Sequence, residues 1–225
     1  MALFDRETQM AGPVVRWLHE KGSSCVGHEV RASVGVADLV AGVGTRRRLQ
    51  NRRRQAPPVT ASLQLQLLEF CSKTRTEDEL RQWAPRGMSD LRRSAIQPLV
   101  AAEMLAERSP GRWRARRQPA DPFDVLIAVE LKLSDVSRGI GQAYSYRAFA
   151  ESSYLALPGS RVNASAMKMA RHHGVGLLAV FTHRVAEIVE PAADPTALAW
   201  RRRMAAERVL EASTDRSRVA GSAPR

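Results

Sequence analysis

Hydrophobic positions recur along the chain with two different periods. Over residues 5–21, Met10, Val14 and Trp17 or Leu18 share one side at helical spacing, and Gly22 stops the run. Residues 25–32 and 35–41 are shorter apolar runs that predict two strands joined by a turn at Ser33-Val34-Gly35. Residues 62–72 return to helical spacing with Leu63, Leu67, Leu68 and Phe70. Thr76-Glu77-Asp78-Glu79 is a capping box that opens a second helix through Leu80 and Trp83, which Pro85 and Gly87 end. Ser89 is expected to cap a third segment, residues 90–101, with Leu91, Ala95, Ile96 and Leu99 on one face and Pro98 shortening or kinking it. Two short strands, residues 104–108 and 112–116, flank a Ser109-Pro110-Gly111 turn. Then come a strand over 123–133, a helix over 135–151, a strand over 153–157, a helix over 163–172 and strands over 175–181 and 185–189. Residues 197–212 read as a helix, and from Ser213 the Ser, Thr, Arg, Gly and Pro content predicts a disordered tail.

Residues 1–45 and 120–195 are each too short for a comfortable core, but together they make a domain of normal size. Their element order, αββ followed after an insert by βαβαββ, predicts an α/β domain whose mixed sheet is covered on both faces. Residues 46–119 form the insert, and residues 196–225 a C-terminal helix and tail.

Charge sharpens this division. The chain of 225 residues has 35 basic and 23 acidic residues, a net of +12. Arginine supplies 31 of the basic residues, and the four lysines are Lys21, Lys73, Lys132 and Lys168. Residues 46–117 alone carry 17 basic and seven acidic side chains, leaving 18 and 16 for the remainder. Such an excess favours an anionic partner, with nucleic acid first. The runs Arg46-Arg47-Arg48 and Arg52-Arg53-Arg54, ending at Pro57-Pro58, read as a basic linker. The longest apolar run of the second half, residues 125–129, is far too short to span a bilayer. The N-terminus has acids where a signal peptide needs a positive and then an apolar stretch. No membrane association and a soluble, cytoplasmic protein are therefore expected. Cys25 and Cys71 are too few for a disulfide framework or a cysteine-based metal site.

Three short helices and a basic hairpin within the insert resemble a winged helix-turn-helix domain. The resemblance implies that the third helix enters the major groove with Arg92 and Arg93, and that Arg112, Arg114 and Arg116 of the wing meet phosphates.

The candidate chemistry lies in the flanking halves. Glu130-Leu131-Lys132 ends an apolar strand, so the carboxylate and the ammonium point to the same side. Burying that pair is costly unless something uses it, although a simple strand-end ion pair is the bland alternative. Asp38 sits in the middle of the other apolar run, between Val36-Ala37 and Leu39-Val40. Asp38 and Glu130 brought together would repel unless a divalent cation joined them, and hard oxygen donors suit Mg²⁺. On the next helix Gln142 and Tyr146 are four apart and share a face, with Arg138 a turn earlier. Glu7 lies on the buried stripe of the first helix, where a favourable helix-start acid and a site residue are equally good readings.

Glu7, Asp38, Glu130-Leu131-Lys132 and Gln142-x-x-x-Tyr146, in that order, resemble the PD-(D/E)xK phosphodiesterase superfamily with its restriction-endonuclease-like fold. The last motif is similar to that of the RecB-like branch. Ala37 stands where the family has proline, and the insert lengthens the Asp38–Glu130 separation. The resemblance implies hydrolysis of DNA phosphodiesters. Asp38, Glu130 and the Leu131 carbonyl would hold Mg²⁺ or Mn²⁺, with Glu7 completing a second metal position. Lys132, its pKa depressed, would hold the attacking water. Gln142, Tyr146 and Arg138 would position the substrate strand. Many nucleases of this fold act as homodimers. Two other readings compete: a DNA-binding transcriptional regulator on a nuclease fold that does not cut, and a protein-interaction module of a larger assembly.

Overall fold

A computed structural model describes residues 4–32, 34–116, 118–192 and 199–220, with backbone only over 214–220. Ser33 of the predicted turn, Arg117 of the predicted wing, the predicted start of the last helix and residues 221–225 of the predicted tail lie outside the described residues. The element order is α1 (Thr8–Glu20), β1 (Ser23–Ala32), β2 (Gly35–Val43), α2 (Arg46–Gln55), α3 (Ser62–Phe70), β3 (Arg75–Thr76), α4 (Glu77–Trp83), α5 (Met88–Leu91), a π-helical turn (Arg92–Ile96), α6 (Gln97–Ala101), β4 (Leu105–Ser109), β5 (Arg112–Ala115), β6 (Val125–Leu131), α7 (Val136–Tyr146), β7 (Ser152–Pro158), a 3₁₀ turn (Gly159–Arg161), α8 (Ala164–His173), β8 (Gly176–Val180), β9 (Val185–Val189) and α9 (Ala199–Ala220). The chain divides into two compact units, one of Met1–Leu49 with Pro122–Arg225 and one of Gln50–Asp121.

The larger unit is α/β, built on a six-stranded mixed sheet in the order β1-β2-β6-β7-β8-β9. The β1/β2, β2/β6 and β8/β9 pairs are antiparallel, and β6/β7 and β7/β8 are parallel. Alternation along the strands divides the core. Leu39, Ala41, Ile127, Val129 and Leu131 pack against Met10, Val14 and Leu18 of α1 on one face. Val40, Leu126 and Ala128 face Tyr146, Phe149 and the α9 residues Ala205, Ala206 and Val209 on the other. On that same side Leu155 and Leu157 of β7 meet Ile140 and Ala143 of α7 and Ala166 and Ala170 of α8. The parallel centre is largely apolar because both its faces are covered.

The smaller unit joins a three-stranded antiparallel sheet, β3-β5-β4, to short helices. The Thr76–Glu79 capping box opens α4: Oγ1 of Thr76 accepts from the Glu79 N–H at 3.2 Å, and the Glu79 carboxylate accepts from the Thr76 N–H at 2.7 Å. Gly87, at φ +84°, caps α5 in place of the predicted Ser89, because the entry needs a left-handed residue. Pro98 does not stop the third helical stretch. The Gln97 N–H reaches back to the Arg92 carbonyl, opening a π turn just before the proline. Pro98 has no N–H for the Ser94 carbonyl, and Gln64 Nε2 of α3 donates there instead, at 3.1 Å.

Two predicted irregular segments are helical. The Arg46–Arg54 stretch expected as a linker is α2: arginine, leucine and glutamine are good helix formers, and Thr45 Oγ1 accepts the Arg48 N–H at 3.2 Å. Arg52 is fully buried, and its guanidinium donates to the carbonyls of Ala56 and Pro57 at 2.6 and 3.1 Å, closing the turn that follows. The C-terminal helix runs on past Ser213 to Ala220, where the composition predicted a tail. Conversely, α7 ends at Tyr146, short of the predicted Glu151.

Candidate active site at the end of strand β6

The antiparallel β2/β6 register runs through Leu39↔Val129, so the next opposed positions are Asp38 and Glu130. Beyond Leu39 the ladder gives way to a side chain: Asp38 Oδ2 accepts the Leu131 N–H at 2.7 Å. Glu130 follows Leu126 and Ala128 on the face covered by α7 and α9, and it is 2% exposed. Burial raises the pKa of Asp38, against the Leu131 hydrogen bond and the charge of Lys132, with Glu7 and Glu29 pushing the same way as burial. Burial likewise raises that of Glu130, partly offset by hydrogen bonds from Lys132 and Tyr146.

Lys132 alternates onto the same side as Glu130, and its Nζ donates to Glu130 Oε1 at 2.6 Å. Its pKa is raised. Burial alone would lower it, but the hydrogen bond and charge of Glu130, with Glu7 and Asp38, outweigh burial. The value is thus raised where a depressed one was expected, because an ammonium among three carboxylates is held in its charged form. Glu7 is the residue that begins α1, rather than a member of the buried stripe. Its Oε1 accepts the Leu133 N–H at 3.3 Å, and its Oε2 is 3.9 Å from Lys132 Nζ.

From the helix side, the Tyr146 hydroxyl lies 2.5 Å from Glu130 Oε2 and 2.8 Å from the Val36 carbonyl. One hydroxyl proton faces two acceptors, so it is shared between the Glu130 carboxylate and the Val36 carbonyl. One turn earlier, Gln142 has a buried Oε1 with no partner. An orphaned amide oxygen costs about 1–3 kcal/mol and suits a group that meets a ligand. Arg138 is exposed in the first turn of α7, where its backbone N–H bonds the Asp135 cap. The structure therefore brings Glu7, Asp38, Glu130, Lys132 and Tyr146 together, with Gln142 beside Tyr146, and leaves the Arg138 side chain at the surface.

Two residues escaped the sequence reading. A Cβ on Gly139 would stand 2.6 Å from Leu155 Cδ1 and 2.9 Å from Lys132 Cγ, so this glycine lets α7 close over the lysine stem. A glycine inside a helix, costing about 1 kcal/mol against alanine, was the available signal. Glu29 lies across from Asp38 in the β1/β2 pairing, bracketed by His28↔Leu39 and Val30↔Ala37, with φ +49°. Nothing in its sequence context signals that strained backbone.

In the smaller unit, Arg112 and Arg114 alternate along β5, Arg116 follows just beyond it, and all three are exposed. Arg92, expected to face a groove, is instead paired with Glu77 at 2.8 Å. Arg93 pairs with Asp90 at 3.2 Å and stays largely exposed.

Among the described residues, no three His, Cys, Asp or Glu side chains converge as a ready-made metal cage. None of the described helices is long and apolar enough to cross a membrane. No protein-family model matches the chain, and no curated protein matches it. Among solved structures, a protein of unknown function from Silicibacter pomeroyi is similar, with 9% identity and a TM-score of 0.49 over 97% of this chain and 93% of that one.

Proposed function

We propose that the chain is a metal-dependent deoxyribonuclease of the PD-(D/E)xK type. The observation that carries this reading is the opposition of Asp38 and Glu130 at a strand end, with Lys132 and Tyr146 both bonded to Glu130. A buried and a half-buried carboxylate, both with raised pKa values, are costly to ionise, and a hard divalent cation would relieve that cost. The donor set fits Mg²⁺ or Mn²⁺: Asp38, Glu130 and the Leu131 carbonyl supply oxygens only, and Mg²⁺ ordinarily keeps several waters. Glu7, 3.9 Å from Lys132 Nζ, would complete a second position. When bound, the metal supplies a water of lowered pKa and a Lewis acid for the phosphoryl oxygen.

The chain's own residues divide the remaining work. Lys132, held cationic, offsets charge that develops on the phosphate in the transition state. Tyr146 orients Glu130 by donating to its second oxygen. Gln142 presents its amide to the substrate strand, and Arg138 at the surface meets the adjacent phosphate. Gly139 is a positioning residue, setting where the Lys132 stem runs.

The smaller unit, in this reading, is a winged helix-turn-helix insert whose wing lays Arg112, Arg114 and Arg116 on the DNA backbone. A second reading, a DNA-binding regulator that does not cut, is favoured by one observation: both Glu130 oxygens are already engaged within the protein. Cleavage decides between them. The nuclease nicks supercoiled plasmid or degrades single-stranded DNA with Mg²⁺ or Mn²⁺, and the activity vanishes with EDTA and in Lys132→Ala. Tight, salt-sensitive DNA binding without cleavage by either protein supports the regulator.

A further inference from the structure

Residues 136–186 hold a single acid, Glu151, against six Arg or Lys and three of the chain's five His. The two helices of this stretch, α7 and α8, contain no acid and pack on each other over the same face of the sheet. Their outer surface exposes Arg138, Lys168, Arg171, His172 and His173. The larger unit thus has a basic surface of its own, separate in sequence from the arginines of residues 46–117.

An aromatic ring stands within that surface. Tyr144 is 51% exposed, one of few large hydrophobic side chains of the described residues to be so. Arg138, Gly141, Tyr144 and Arg147 follow one another at intervals of three, forming a ridge along α7. A Cβ on Gly141 would meet nothing within 4 Å, so the ridge is open between Arg138 and Tyr144. The Tyr144 ring is held in place. The Arg147 guanidinium lies 5.7 Å from its centroid, the His173 ring meets it at 5.7 Å and 66°, and Arg147 Nη1 donates to the His173 carbonyl at 3.0 Å.

We propose that the α7–α8 surface binds an unpaired nucleic-acid strand, one base stacking on Tyr144 and the flanking phosphates meeting Arg138, Lys168 and Arg171. The charge calls for a polyanion. The half-exposed, immobilised ring calls for a free base face, which a duplex hides within its stack. A flat ring between cations is the recurring arrangement for binding single strands without sequence preference. This surface binds whether or not the site cleaves. If the proposed nuclease reading is right, a strand held here passes along the helix that carries Gln142 and Tyr146.

The test is binding of a labelled oligothymidylate of about 16 nucleotides, and of a duplex of the same length, to the full chain by fluorescence anisotropy. EDTA is present, so hydrolysis plays no part. Tyr144→Ala should weaken binding to the unpaired strand about 5- to 100-fold and leave duplex binding unchanged. Tyr144→Phe should restore the wild-type affinity, and Lys168→Glu with Arg171→Glu should weaken unpaired-strand binding and make its loss with salt shallower. Unchanged oligothymidylate affinity in both the Tyr144→Ala and the charge-reversed proteins overturns the proposal. So does an equal loss on duplex and unpaired strand. Failure here leaves the cleavage result standing, and loss of cleavage in Lys132→Ala leaves this binding standing.

Discussion

Gly139 and Gly141 lie two residues apart in the interior of α7, and the structure predicts that alanine at each acts with opposite sign. Replacing a mid-helix glycine by alanine stabilises by about 0.5–1 kcal/mol through backbone entropy. At Gly141 nothing lies within 4 Å of the added carbon, so the full gain is expected. At Gly139 the same carbon meets Leu155 Cδ1 at 2.6 Å and Lys132 Cγ at 2.9 Å. Overpacking of that kind costs about 1–3 kcal/mol, which outweighs the helix gain and leaves a net loss of up to about 2 kcal/mol. At about 2–4 °C per kcal/mol for a chain of this size, thermal unfolding followed by circular dichroism should place Gly141→Ala a few degrees above the wild type and Gly139→Ala below it. The lysine stem must also shift, so Gly139→Ala should lose cleavage out of proportion to its stability, while Gly141→Ala keeps it. A Gly139→Ala protein as stable as Gly141→Ala and fully active would refute the argument that this glycine seats Lys132.

Asp38→Asn keeps an acceptor for the Leu131 N–H but removes a carboxylate whose pKa burial raises. Such a group contributes stability that is fully present below its ordinary value of 3.8 and is lost as pH rises through the elevated folded-state value. The asparagine protein should therefore melt higher than the wild type at pH 7, with a flatter pH profile, and cleave no DNA; an unchanged melting profile across acid and neutral pH would contradict this. Tyr146→Phe removes the hydroxyl shared by Glu130 and the Val36 carbonyl and should cost about 1–3 kcal/mol in urea denaturation. Alanine at Arg112, Arg114 and Arg116 together should reduce the slope of log affinity against log salt for duplex DNA by about 2.7, or 0.9 per phosphate contact, while oligothymidylate binding through α7 is retained. A slope that stays the same would remove β5 from the DNA-facing surface.

The sequence by itself determined most of the elements and their kinds. Period-two and period-3.6 patterns with capping residues are local properties, and Thr76–Glu79 forms the capping box read from the sequence. Alternation also determined that Glu130 and Lys132 point the same way, since that follows from strand geometry alone. Where local signals conflict, the chain was ambiguous. The Arg46–Arg54 run reads as a linker by charge, yet it is α2, with Leu49 and Arg52 buried.

Only the tertiary structure decided what meets across long sequence separations. That Asp38 lies opposite Glu130 is a consequence of β2/β6 register, which depends on which faces are covered by α1 and by α7 with α9. That Lys132 is held charged, rather than neutral, depends on the summed field of Glu130, Glu7 and Asp38, which come from three separate elements. The role of Gly139 depends on how closely α7 approaches β6 and β7, a packing distance that no single stretch of sequence encodes. The Ser94 carbonyl that Pro98 leaves without a helical donor is taken up by Gln64 of another helix, a partner no local stretch specifies. Local pattern selects the pieces because it acts within a few residues, whereas the site is made by register and packing, which are settled only when the whole core is buried.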